Sequence, residues 1–166
     1  MRVEAPIKVD RKTKKLAKRL STGDIAVINH TDIDEVAANS LVECKIKLVI
    51  NAAPSISGRY PNKGPKILID NNILIIDNVG EEVFEDLKEG QIIEVNNGLI
   101  YRDGQLIGQG EVMDKSVVEQ KTKIAYENMS VELDRFIDNT IEYAKREKDF
   151  ILGETEIPKM ATDYKD

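Results

Sequence analysis

The stretch NAAPSISGRYPNKGP, Asn51 to Pro65, gathers the residues best suited to grip a charged ligand. Ser55, Ser57 and Gly58 offer hydroxyls and an unhindered backbone, and Arg59 offers a planar cationic fork that matches phosphate or carboxylate. Tyr60 follows, then Asn62 and Lys63 add donors. A helix starting near Pro65 would aim its first amides the same way. Asn51 opens the stretch, and Asp77 and Asn78 close a later strand at what could be the same edge. None of these is an obvious nucleophile or base. The chemistry expected is therefore anion or peptide binding, not turnover. The plainer alternative is a long structural turn pinned by Pro54, Pro61 and Pro65.

His30 is the chain's one histidine and follows a buried apolar run, with Asp32 and Asp34 close by. A phosphoryl carrier, general base or metal ligand is conceivable there. A metal would need at least one more good ligand, and the aspartates serve equally well as helix caps. Walker loop, dinucleotide fingerprint, Cys/His cluster and nucleophile elbow are all missing from the sequence.

The elements that must position these groups follow from periodicity. Asp10 is expected to cap a short basic helix that stops at Ser21-Thr22-Gly23. Asp24 to Ile28 is a short buried strand, Thr31 or Asp32 caps a helix ending near Cys44, and Ile46 to Ala52 is a second buried strand. Strand, helix, strand over about 30 residues is a βαβ unit with parallel strands. After the loop, PKILIDNN predicts a short helix ending at Asn71-Asn72, and Ile73 to Val79 a third buried strand. GEEVFEDLKEGQ is a connection with one helical turn. The runs QIIEV, LIYR and QLIGQG are divided by Asn96-Asn97-Gly98 and Asp103-Gly104, which marks an antiparallel meander.

From Ser116 the pattern turns helical. Ser116 and Glu119 have capping-box spacing, and Met129, Leu133, Phe136/Ile137, Thr140/Ile141 and Ala144 recur at three- and four-residue steps, with Gly153 as a C-terminal cap and Pro158 beyond. Such a helix would span about 55 Å at ~1.5 Å per residue. It should pair with another helix or couple to a further domain. The expected divisions are 1–112, 113–153 and a linker over 154–166. The final MATDYKD forms no element and stops abruptly, which suggests either more protein beyond or the start of an affinity tag.

Bulk composition bounds the class. The chain has 166 residues, 33% charged and 41% hydrophobic, with no Trp, so Ile, Val and Leu must fill the core. A net charge of −6 argues against a general nucleic-acid binder. The cations Arg11, Lys12, Lys14, Lys15, Lys18 and Arg19 cluster; such a run usually stays solvated but can face lipid or an acidic partner. Cys44 stands alone among apolar residues, so a buried thiol in a reducing cytosol is expected. Signal peptide and membrane span are not evident.

GDIAVINHTDID, VINAAPSISGRYPNKGP and ILIIDNVGEEVF together resemble the N-terminal domain of the SteA family of cytokinetic ring proteins, from about Lys14 to about Asp149. That resemblance implies a role in bacterial cell division and cell-wall separation, and a cytoplasmic chain anchored at the division-site membrane through a later hydrophobic segment. It also implies a membrane partner of the SteB kind. A downstream thiamin pyrophosphokinase-like domain would carry any ATP and magnesium, leaving this piece without a cofactor. The order of elements also resembles the swivelling β/β/α phosphohistidine domain, where Thr-Ser-His stands in place of Ser55-Ile56-Ser57-Gly58; His30 lies an element too early to replace that histidine. The fold expected is thus α/β, a three-layer swivelling β/β/α-like domain with a mixed sheet and meander, followed by a long C-terminal helix. The function expected is a non-catalytic binding or scaffold module, dimeric through that helix. The alternative is a regulatory domain of a nucleotide-dependent transferase.

Overall fold

A computed structural model describes residues 1–154. Pro158 and the MATDYKD end lie outside them, as does all of the expected linker past Glu154. The chain divides into two units, Met1–Glu127 and Asn128–Asp166.

The first unit is a mixed α/β domain. Its strands are β1 (Arg2–Val9), β2 (Ile25–Ile28), β3 (Leu48–Asn51), β4 (Leu74–Asp77), β5 (Ile92–Asn96), β6 (Leu99–Arg102), β7 (Gln105–Gln109) and β8 (Glu111–Met113). They form one sheet in the order β7-β6-β5-β1-β2-β3-β4-β8. β1 to β4 run parallel, while β5 pairs antiparallel with β1 and β8 antiparallel with β4. The helices are α1 (Thr13–Ala17), α2 (Glu35–Glu43), α3 (Gly64–Asp70), α4 (Glu81–Asp86) and α5 (Lys115–Glu154), whose opening turns belong to this unit.

Three layers result. Ile93 and Val95 of β5 and Ile100 of β6 share a buried cluster with Ile7, Val27 and Ile50, so the meander folds over one face of the parallel strands. Ala26, Ile28 and Val49 point the other way, onto Leu16 of α1, Leu41 of α2 and Leu68 of α3. Val118 of α5 joins this second cluster, which carries the unit past the residue-112 limit expected from the sequence. Because both faces of β2 and β3 are covered, all their residues are buried, and their sequences are apolar runs, broken only at Asn51, instead of alternating ones. The meander turns form at Asn97-Gly98 and Asp103-Gly104, all four at positive φ, the geometry that matches the twist of a hairpin.

The structure corrects several local readings. The first element is β1, a strand not expected from the sequence, in which Val3, Ala5, Ile7 and Val9 alternate. Pro6 is tolerated inside it because the Ile7 amide donates toward β5, to the Gln91 carbonyl. The missing donor of Pro6 therefore faces the β2 side, where pairing begins only at Ile7. Asp10 accepts the Lys12 amide and precedes the α1 cap, and α1 ends at Ala17, short of the Ser21-Thr22-Gly23 stop. The α2 cap is Asp34, which accepts the Ala37 amide, and neither Thr31 nor Asp32. α5 is capped by Asp114, which accepts the Val117 amide, not by Ser116. Gly153 lies inside α5.

Candidate functional site

β3 and β4 end side by side on polar residues, Asn51 and Asp77, 0% and 3% exposed. Neither can be left unpaired at that depth. Asn51 Oδ1 accepts the His30 amide at 3.0 Å and the Ala53 amide at 3.1 Å, and its Nδ2 donates to the His30 carbonyl and to Ser55 Oγ. Ser55, itself 0% exposed, donates its amide and hydroxyl to one oxygen of Asp77. Burial pushes the Asp77 carboxyl above its ordinary range, and the Ser55 hydrogen bonds pull the other way.

A second set of bonds ties the loop to the segment before α2. Asp32, at φ 54°, holds the Ser57 amide at 2.7 Å and hydroxyl at 2.8 Å with its two carboxylate oxygens. Asn62 Nδ2 donates to the carbonyls of Ile33 and Ser55, while its buried Oδ1 has no partner. The main chain adds Asp32 to Pro54 and Ile33 to Ser55. Gly64 closes the loop against the Ile33 carbonyl, where a β-carbon would collide.

The loop residues thus divide into two groups. The side-chain polar atoms of Asn51, Ser55 and Ser57, one carboxylate oxygen of Asp77 and the Asn62 amide nitrogen are engaged within the chain, and they hold the loop. Arg59, Tyr60, Lys63 and Asn78 remain exposed, with Gly58 at φ 87° just before Arg59. The Arg59 guanidinium and the Lys63 ammonium have neither hydrogen bond nor ion pair among the described residues. The outward edge is cationic and the interior is a rigid hydrogen-bonded lattice.

His30 stands at the carboxyl end of β2, half-buried. Its Nδ1 lies 2.9 Å from Thr13 Oγ1, and its Nε2 lies 3.9 Å from Asp34 Oδ2, too far for a hydrogen bond. It borders a cleft of about 610 Å³ between α1 and α2 that Lys12, Thr13, Lys14, Val36 and Ala37 also line. The sequence signal for these α1 residues was the basic run alone, which gave no hint of proximity to His30. Cys44 is half-buried, not fully buried as expected; its thiol donates to the Ala17 and Ser40 carbonyls, and burial raises its pKa. Among the described residues no three His, Cys, Asp or Glu converge as a metal site would require, and no described helix is long and apolar enough to cross a membrane.

In the second unit α5 leaves Leu133, Phe136, Ile137, Ile141, Tyr143 and Phe150 exposed, at 51%, 66%, 52%, 49%, 63% and 63%. At 100° per residue these share one broad side with Met129, Ala144 and Ile151, opposite Asp138 and Glu142.

No family model matches the chain, and no curated protein matches it. Among solved structures it is similar to 3-isopropylmalate dehydratase from Methanocaldococcus jannaschii, at 14% identity and a TM-score of 0.42, over 84% of this chain and 99% of that one. A likeness of that size transfers neither activity nor substrate.

Proposed function

We propose that the chain is a binding and scaffolding module, in which the β/β/α unit presents a rigid cationic edge and α5 joins two copies of the chain. The observation that carries this is the apolar side of α5. A face of Leu, Ile, Phe and Tyr sustained from Met129 to Ile151 far exceeds scattered surface hydrophobics, and each such side chain gains about 1.5–3 kcal/mol when fully buried.

A second copy suits that face because antiparallel pairing brings opposite charges together on its flank. Glu132, Asp134 and Asp138 accompany one cation, Arg135, in its first half. Lys145, Arg146 and Lys148 stand with three anions, Glu142, Glu147 and Asp149, in its second. Antiparallel pairing centred near Ile141 sets Asp134 of each copy beside Lys148 of the other, on the same flank of the seam. Neither residue has an ion pair within the described chain. Sedimentation equilibrium on the whole chain tests this reading: a dimer is expected, and a monomer at high micromolar concentration refutes it.

The motif resemblance to the SteA family supports a setting in bacterial cell division, beside a membrane partner of the SteB kind. A fluorescent fusion in the bacterial host should then collect at the division septum. Diffuse fluorescence throughout the cycle would remove that setting while leaving the dimer untouched.

A further inference from the structure

The α1–α2 cleft stands on different residues from the α5 face and carries a separate inference. We propose that it binds a small soluble phosphate monoester, the phosphoryl group lying between Lys12, Lys14 and His30 and the organic body against Val36 and Ala37.

The cleft has the size of a small-molecule site, about 610 Å³. It opens at the carboxyl ends of parallel strands, the edge where α/β sheets hold ligands. Its charge is unspent. Arg11, the neighbouring cation, is engaged by Glu81 and Glu85 and lies over the Phe84 ring. Lys12 and Lys14 have no carboxylate partner and are exposed on the lining. Asp34 is the one carboxylate among the lining residues, and the Ala37 amide already holds its Oδ1.

The histidine is oriented for the same task. Thr13, 4% exposed, fixes Nδ1, which leaves Nε2 without a hydrogen bond at the cleft wall. Two ammoniums and an imidazole match a dianion better than a monoanion. Val36, 77% exposed on the rim, would gain from an apolar body packed against it. A bare phosphate ion would fill only a small part of the space, so the ligand is an organic ester.

His30 is the chain's one histidine, so its ring carbon–proton resonance reports on the cleft alone. The test titrates isotopically labelled full chain, at fixed pH, with phenyl phosphate and with inorganic phosphate. Phenyl phosphate should move the His30 resonance saturably at millimolar concentration and bind more tightly than inorganic phosphate. Lys12→Ala/Lys14→Ala should weaken it about ten-fold or more, and Lys123→Ala, exposed on α5 outside the cleft, should leave it unchanged. These side chains are exposed, so a thermal melt should confirm that the variants fold. No saturable movement, or equal affinity in the double variant, overturns the proposal. Co-sedimentation with phosphatidic acid vesicles that depends on Lys12 and Lys14, without a phenyl phosphate response, also overturns it and assigns the cleft to a membrane.

Discussion

The amide and the hydroxyl of Ser55 both donate to the same oxygen of Asp77, at 2.9 and 2.7 Å, in a place where neither residue is more than 3% exposed. This pair joins the loop to the end of β4. The loop's position is therefore set by the sheet and not by a ligand.

Ser55→Ala should destabilise the chain by about 1–3 kcal/mol, because it removes one bond to Asp77 and leaves Asn51 Nδ2 without its Ser55 acceptor at full burial. Urea denaturation measures this. A change below about 0.5 kcal/mol would mean the pair is incidental to the fold.

Asp77 also gives a pH dependence with a definite sign. Its folded pKa is raised, so the native state holds the proton more readily than the unfolded state. Its contribution favours folding on the acid side and is lost as pH rises through the interval above the ordinary value of 3.8. Asp77→Asn stays neutral throughout. Its stability relative to the parent should therefore improve as pH climbs through that interval, as paired melts from pH 3.5 to 7 would show.

Asp32→Ala should release the loop tip without unfolding the domain. It removes both bonds to Ser57 and puts an alanine at φ 54°. Amide exchange at Ser57 should accelerate while that of the buried strands β2 and β3 stays slow. Equal protection of Ser57 in both proteins would show that the carboxylate does not hold the loop.

Gly64→Ala introduces a β-carbon into the Ile33 carbonyl, a backbone atom that cannot swing aside. A loss of about 1–3 kcal/mol is expected. Urea melts would read it, and a neutral result would mean that the loop and the α2 approach shift together.

Asp134→Lys should weaken the dimer, and adding Lys148→Asp should restore it, because the double variant rebuilds the cross-copy pair with its signs exchanged. Sedimentation of the three proteins distinguishes this from a parallel seam, in which Asp134 meets its own copy and the second change rescues nothing.

What the amino-acid order determined alone was whatever depends on neighbours within a few residues. The short apolar runs at Ile25–Ile28, 48–50 and 74–76, bounded by polar breaks, read as strands of a sheet covered on both faces. The hairpins at Asn97-Gly98 and Asp103-Gly104 follow from residues that accept positive φ. The apolar side of α5 follows from its 3.6-residue period.

Tertiary structure decided the rest, because it depends on pairings across long separations. β1 is a strand because β2 and β5 flank it, and its own residues, broken by Pro6, argue for it only weakly. Asp32 and Asp34 have similar local prospects as caps, yet Asp34 meets the α2 amide and Asp32 is drawn to Ser57, a partner 25 residues on. In the loop, residue types suited to a ligand serve equally to satisfy one another. Asn51, Ser55 and Asp77 turned inward because burying the ends of β3 and β4 left polar groups that only this loop could reach. Folding also set Thr13 beside His30, and so placed the basic run of α1 at the mouth of a cleft.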